Sequence, residues 1–235
     1  MKLAQKLAIA STSVALCVAA VSAKPASAAT IAWTDWTSAT AGNPGSAQGT
    51  ITPAGESPIS VNYNGEIAFA QTSGGTNYWN PPTPYISATV SNAPPASDII
   101  TLQGGNNTVN KIQFSKSVLN PVMAIVSMGQ YSVPVQYNFK NPFKILSVGQ
   151  GYWGNGTLAQ LPGNVLEGRE GHGVIQFLGN ISSISWTTPN PEYWHGFTVG
   201  IEKSVPEPLT IGGSALALGL GWWAKRKRTA ATTKM

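Results

Sequence analysis

The sequence predicts an all-β protein, a jelly-roll-like β-sandwich formed by residues 29–204. Short apolar runs alternate with polar positions, which is the period of a half-buried strand. Gly, Pro, Asn and Ser interrupt these runs about every ten residues, a spacing typical of sandwiches. No long segment has the 3.6-residue apolar period of an amphipathic helix. The length between the terminal segments described below fits a single domain.

The strongest strand signals lie in the second half of the chain. In order they are Lys111–Phe114, Val122–Met128, Val135–Phe139, Phe143–Val148, Val174–Phe177, Ile181–Trp186 and Phe197–Ile201. In the first half, Asn64-Gly65 predicts a hairpin between strands Ile59–Tyr63 and Glu66–Gln71, because Asn-Gly favours a two-residue turn. Tyr85–Val90 is a further predicted strand.

Residues 1–28 have the pattern of a secretory signal peptide. Lys2 and Lys6 precede an apolar run, and Ala26 and Ala28 place small residues at positions −3 and −1 of a signal peptidase site. A cut after Ala23 is less favourable because Lys24-Pro25 would follow it. We therefore expect export, with the mature chain starting near Ala29.

The only cysteine, Cys17, lies within the predicted signal peptide. It follows Leu16, where a lipoprotein signal requires a small residue, so lipidation is not expected. The predicted mature chain has no thiol, and it can form no disulfide, zinc-thiolate site or cysteine nucleophile.

The C-terminal region has three elements in a fixed order. Val205, Pro206, Glu207 and Pro208 form an extended, proline-rich motif. An apolar segment, residues 209–224, follows, and at ~1.5 Å per residue it predicts a short transmembrane helix of roughly 24 Å. The basic residues after it predict a stop-transfer cluster that stays in the cytoplasm; they are Lys225, Arg226, Lys227 and Arg228. Residues 229–235 form a short tail.

This order resembles the PEP-CTERM sorting signal, and the resemblance covers residues 205–228. It implies that an exosortase recognises Val205–Pro208 and cleaves at or near this motif, in a bacterium that makes exopolysaccharide. It also implies that the protein is anchored in the inner membrane before processing, and then resides at the cell surface or outside the cell. A plain membrane anchor with a chance proline pair is the alternative.

The distribution of charge argues against nucleic acid as a partner. The whole chain has a formal charge of +5, but eight of its fourteen basic residues lie in the two terminal segments. Residues 29–204 contain six basic and eight acidic residues, a net charge of −2. A mildly acidic domain does not offer the basic surface that phosphates require.

The histidines and carboxylates of the sequence form no recognisable catalytic or metal-binding pattern. His172 lies near Glu167 and Glu170 in the sequence, and His195 lies near Glu192, but the spacing matches no ligand signature. An ion pair between Arg169 and Glu170 is the simpler interpretation. Asp35, Asp98, Asn106 and Asn107 could supply oxygen ligands to calcium, but no Asp-x-Asp-x-Asp loop occurs, so no metal or other cofactor is predicted.

Aromatic pairs give the best indication of a binding site. Tyr-Trp dipeptides occur at residues 78–79, 152–153 and 193–194. Sugar rings stack their C–H faces on such side chains, and Tyr152 and Trp153, in the Gly-rich stretch 151–156, are the best candidates for a glycan contact. Trp186, in a predicted strand, is expected in the core.

Three functions remain open at this point. The first is a non-enzymatic surface or matrix protein with a structural or interaction role in the envelope or its exopolysaccharide. The second is a carbohydrate-binding module with an aromatic loop site. The third is a hydrolase of envelope polymers that uses Glu170 or Glu192 with a histidine.

Overall fold

The computed structural model describes residues 28–203. The predicted signal peptide up to residue 27, including Ala26, lies outside the described residues, and so do Val205–Pro208, residues 209–224 and Lys225–Arg228. Ala28 is the first residue described. Within residues 28–203, no helix is both long enough and apolar enough to cross a membrane.

The described chain is all-β, as the sequence predicts. Its strands are β1 (Ile31–Trp33), β2 (Asp35–Thr40), β3 (Gly42–Ile51), β4 (Ile59–Ile67), β5 (Ala70–Gln71), β6 (Ile99–Leu102), β7 (Asn110–Leu119), β8 (Val122–Met128), β9 (Val135–Phe139), β10 (Phe143–Val148), β11 (Thr157–Leu161), β12 (Val165–Arg169), β13 (Gly171–Phe177), β14 (Asn180–Thr187) and β15 (His195–Glu202). One 3-10 helix, Thr83–Tyr85, lies between β5 and β6.

The strands form two antiparallel sheets, an arrangement consistent with a β-sandwich. Sheet 1 has the order β10-β13-β8-β15-β6-β5, with β1 also paired to β15, and sheet 2 has the order β11-β12-β9-β14-β7-β4-β3-β2. From β7 to β15 the chain changes sheet at every connection except the β11–β12 hairpin. These crossings place the connecting loops at the two ends of the sandwich.

The main core lies between the sheets, and a second apolar cluster lies on the outer face of sheet 1. Strand β4 is alternately buried and exposed along most of its length, which is the pattern of a strand with one solvated face. Strand β8 is buried on both faces: Met123 and Ile125 belong to the main core, and Val122, Ala124 and Val126 to the second cluster. The segment between β5 and β6 covers that outer face with Trp79, Tyr85 and Val90.

The strands β8, β9 and β10 have the bounds that the sequence predicts, and Trp186 is buried as expected.

The prediction of a hairpin at Asn64-Gly65 is wrong, because β4 continues through both residues and pairs with β3 and β7. Gly65 is required there by a close approach: an added Cβ would lie 2.4 Å from the Asn110 Oδ1 atom.

The predicted strand Tyr85–Val90 is also wrong. Tyr85 ends the 3-10 helix, whose first turn contains Pro84. Val90 forms only an isolated bridge with Ala29. Proline lacks the amide donor that a sheet requires, but it fits the first turn of a helix.

Candidate functional site

A groove with a volume of about 510 Å³ lies at one end of the sandwich. Four connections converge there: the β8–β9 turn, the β10–β11 loop, the β12–β13 junction and the β14–β15 loop. Its aromatic lining consists of Tyr131, Trp153, Tyr193 and Trp194. Its polar side chains are those of Ser127, Gln130, Ser132, Glu170 and Glu192.

Tyr152 and Trp153 occupy the tip of a tight turn in the β10–β11 loop. The Gly151 amide donates a hydrogen bond to the Gly154 carbonyl (2.8 Å), which closes the turn. Tyr152 is 44% exposed and Trp153 is 43% exposed. The structure therefore places the predicted glycan-contact pair at the surface, and it places Trp153 in the groove.

Two glycines allow this turn to lie close to the body of the domain. A Cβ at position 151 would lie 2.2 Å from Cγ of the buried His172 ring. A Cβ at position 154 would lie 2.8 Å from the Glu170 Oε2 atom, and Gly154 has a φ of +153°. The turn therefore rests directly on these two side chains.

Other aromatic rings hold the Trp153 ring in place. Tyr78 is stacked on Trp153, with ring centroids 5.3 Å apart and an interplanar angle of 21°. Trp194 contacts Trp153 in a T-shaped geometry (4.7 Å), and Tyr152 does the same (4.5 Å). Phe69 packs on Trp194 (5.0 Å). These contacts restrict the orientation of the Trp153 ring.

The three Tyr-Trp dipeptides, which lie far apart in the sequence, thus meet at one end of the fold. Each contributes to this region, although Trp79 is buried and packs on Tyr85 instead. Tyr193 lines the groove and is 83% exposed.

Tyr131 is the aromatic groove residue that the sequence did not predict. It occupies a tight turn closed by reciprocal backbone hydrogen bonds between Gln130 and Val133, and it is 86% exposed. It has no aromatic neighbour in the sequence, so only the fold brings it to the groove. Among the aromatic side chains of residues 28–203, the exposed ones are Tyr131, Tyr152, Trp153 and Tyr193, and all four lie at this end of the sandwich.

Glu192 and His195 form a buried pair below the groove. The Glu192 Oε1 atom lies 2.6 Å from His195 Nδ1, and it accepts a hydrogen bond from the Gly129 amide (2.7 Å). The Glu192 side chain is 2% exposed, and His195 is fully buried against the Tyr137 ring. This carboxylate oxygen therefore fixes the β8–β9 turn relative to β15.

Glu170 differs from Glu192 because its carboxylate has no hydrogen bond or ion pair with residues 28–203. The predicted ion pair between Arg169 and Glu170 is wrong: Arg169 instead faces Glu167, with Nε 3.7 Å from Oε1. Glu167 and Arg169 are two residues apart in β12 and so share one face of the strand. Glu170 follows β12 with a φ of +51°, and its side chain turns into the groove.

His172 is buried behind the groove and does not line it. Its Nδ1 atom accepts a hydrogen bond from the Ser127 amide (3.2 Å), which places the ring proton on Nε2, and the Tyr85 hydroxyl lies 3.4 Å from Nδ1. Burial lowers the pKa of His172 to about 4, so the ring is neutral.

The carboxylates and histidines of the described chain do not assemble a metal site. No group of three His, Cys, Asp or Glu side chains within residues 28–203 is placed to hold an ion. Asp98, considered above as a calcium ligand, is buried and accepts a hydrogen bond from the Trp36 amide (2.9 Å). The Asp98 carboxylate therefore has a hydrogen-bond partner within the fold.

The groove thus combines fixed aromatic rings with hydroxyl, amide and carboxylate groups. Such a surface binds ligands that present both a flat apolar face and many hydrogen-bonding groups. Comparison with models of protein families, with curated proteins and with solved structures gives no match.

Proposed function

We propose that this chain is an exported cell-surface or extracellular-matrix protein whose sandwich domain binds polysaccharide of the envelope. The observation that carries the proposal is that all the exposed aromatic side chains of residues 28–203 lie at one end of the sandwich, where Tyr131, Trp153 and Tyr193 line the groove. Scattered exposed apolar residues need no explanation, but an aromatic patch beside a groove is typical of a ligand-binding surface.

The chemistry of the groove fits sugar rings. Trp153 and Tyr131 offer flat faces for pyranose C–H groups, and Gln130, Ser132 and Glu170 offer partners for hydroxyl groups. Because Tyr78 and Trp194 already hold the Trp153 ring, binding does not need to order this side chain, which lowers the cost in conformational entropy.

The proposed export and membrane anchoring of the protein rest on sequence segments outside the described residues. Signal peptidase removes residues 1–28, the jelly-roll-like domain 29–204 follows, and residues 205–228 are the exosortase substrate. The frequent crossing between the sheets from β7 to β15 supports the jelly-roll-like description. Residues 209–224 anchor the chain in the inner membrane until it is processed.

Binding without catalysis is the role that the geometry favours. Most glycoside hydrolases use two carboxyl groups that flank the scissile bond. Glu192 is almost fully buried, and its Oε1 atom is held by Gly129 and His195. His172 is buried behind the groove. Glu170 remains as the single accessible carboxylate of the groove, so the structural and binding roles are proposed ahead of the hydrolase.

Substitution of the groove aromatics tests the proposal. Binding of the full chain to a glycan array and to exopolysaccharide of its host is compared with that of Trp153→Ala and Tyr131→Ala. We expect each variant to weaken binding by about fivefold or more, since stacking on an aromatic ring contributes about 1 kcal/mol beyond the buried area.

Leu119→Ala is the matched control. Leu119 is an exposed apolar residue (63%) that lines a separate pocket formed by Lys116, Asn120 and Glu202 among others. This variant should bind as the parent does. The proposal would be contradicted if the full chain bound no glycan. It would also be contradicted if Trp153→Ala and Tyr131→Ala both bound as tightly as the parent.

A further inference from the structure

The charge of the groove points to a narrower ligand class. We infer that the groove binds a polysaccharide with free amino groups, such as a deacetylated hexosamine polymer, and that Glu170 is the residue that selects it. This inference rests on the proposed polysaccharide-binding function.

The lining contains carboxylates but no cationic side chain. Glu170 and Glu192 line the groove, and none of its other lining residues is Lys, Arg or His. The nearest guanidinium in the sequence, that of Arg169, pairs with Glu167. A uronate or sulfated chain would therefore meet like charge without a compensating cation, and like-charge contacts oppose binding.

Glu170 is held at the groove in a conformation that is uncommon for its residue type. Its φ of +51° lies in the left-handed region, which few residues other than Gly, Asn and Asp adopt. Its amide donates a hydrogen bond to the Gly129 carbonyl (3.1 Å), and its carboxylate lies against Gly154. Strained positions that persist are frequent at ligand sites, and here the strain presents a carboxylate without a protein partner.

The aromatic rings add a second preference for a cation. An ammonium group is attracted to the face of Trp or Tyr, and a nearby carboxylate attracts the same group by its opposite charge. Trp153 lies in the same glycine-rich turn whose Gly154 rests on the Glu170 carboxylate. An amino sugar satisfies both features at once: its ring stacks on the aromatic face, and its ammonium group pairs with Glu170.

The test compares three oligosaccharides of equal length: glucosamine, N-acetylglucosamine and galacturonate oligomers. Their affinities for the full chain are measured by calorimetry at a pH where the amines are protonated. We expect the glucosamine oligomer to bind about tenfold more tightly than the acetylated one. This difference in affinity should disappear in high salt, which screens the charges. The galacturonate oligomer should bind most weakly of the three.

Glu170→Gln keeps the shape of the side chain and removes its charge. It should remove the preference for the glucosamine oligomer, so that the two hexosamine oligomers bind the variant with equal affinity. Glu202→Gln is the matched control, since Glu202 lies at the opposite end of β15, roughly 23 Å along the strand from His195.

The outcomes separate this inference from the proposed function. Equal affinity for the two hexosamine oligomers, with Trp153→Ala still weakening both, would overturn the role of Glu170 and leave polysaccharide binding intact. Preference for galacturonate would also overturn it. Failure of all three oligomers and of host exopolysaccharide to bind would overturn both.

Discussion

At the scale of single residues, His172 links the stability of the domain to pH. Burial holds its pKa at about 4, below the ordinary value of about 6.5. As the pH falls, the unfolded chain takes up the proton first, so the free energy of unfolding falls between about pH 6.5 and pH 4. From about pH 7 to about pH 5, this single group removes about 2 kcal/mol.

The measurement is urea unfolding of the parent and of His172→Asn across this pH range. The Asn Oδ1 atom can replace Nδ1 as the acceptor of the Ser127 amide, so the variant keeps that hydrogen bond but does not titrate. Asp98 has the opposite effect, because burial raises its pKa to about 6 and the folded state then binds a proton more readily. That contribution is common to both proteins, and parallel pH profiles would therefore contradict the prediction for His172.

At the scale of the elements, the β10–β11 loop depends on Gly151. Gly151→Ala would force its Cβ into the His172 ring, so the Tyr152–Trp153 turn must move outward. We expect glycan affinity to fall by about tenfold, with a loss of roughly 1–3 kcal/mol in the free energy of unfolding.

Gly149→Ala, in the same loop, is the control for this change. A Cβ there makes only ordinary contact with Pro84, at 3.5 Å, so affinity and stability should be retained. If Gly151→Ala bound glycans as tightly as Gly149→Ala, the turn would not need its present position against His172.

The elements also show what the sequence can predict. Strands β8, β9 and β10 are readable because apolar residues alternate in them or fill them. Strand β3, with the sequence GNPGSAQGTI, lies near the edge of sheet 2 and has few apolar residues, so its pairing with β4 determines its structure. Strands β2, β11 and β12 were missed for the same reason.

The site was only partly predictable. Tyr152 and Trp153 stand out because the two rings are adjacent among glycines, and the structure places both at the surface. Tyr131 and the pairing of Glu192 with Gly129 depend on contacts between distant segments, which no local pattern reports. The sequence predicts an ion pair for Glu170, but the extended conformation of β12 places Arg169 on the same face as Glu167 instead.

At the scale of the whole molecule, the sorting proposal predicts a cleaved C-terminus. Intact-mass analysis of the protein from its native host should show a chain that ends near residue 205. The Pro206→Ala, Pro208→Ala variant should keep residues 205–235, because the extended substrate conformation that the two prolines favour is lost. An uncut parent chain in a host that has an exosortase would contradict sorting and favour a plain membrane anchor.

The antiparallel pairing of β1 with the C-terminal end of β15 determines how the domain would respond to a pulling force. Ile31 lies opposite Glu202, so the chain enters and leaves the described domain at one pole, while the groove occupies the other. A pull between a polymer in the groove and an anchor beyond Lys203 would act along the length of β15. The hydrogen bonds from β15 to β8, β6 and β1 lie perpendicular to that direction. Tension along β15 would load these hydrogen bonds together in shear, so they would have to break at the same time and not one after another.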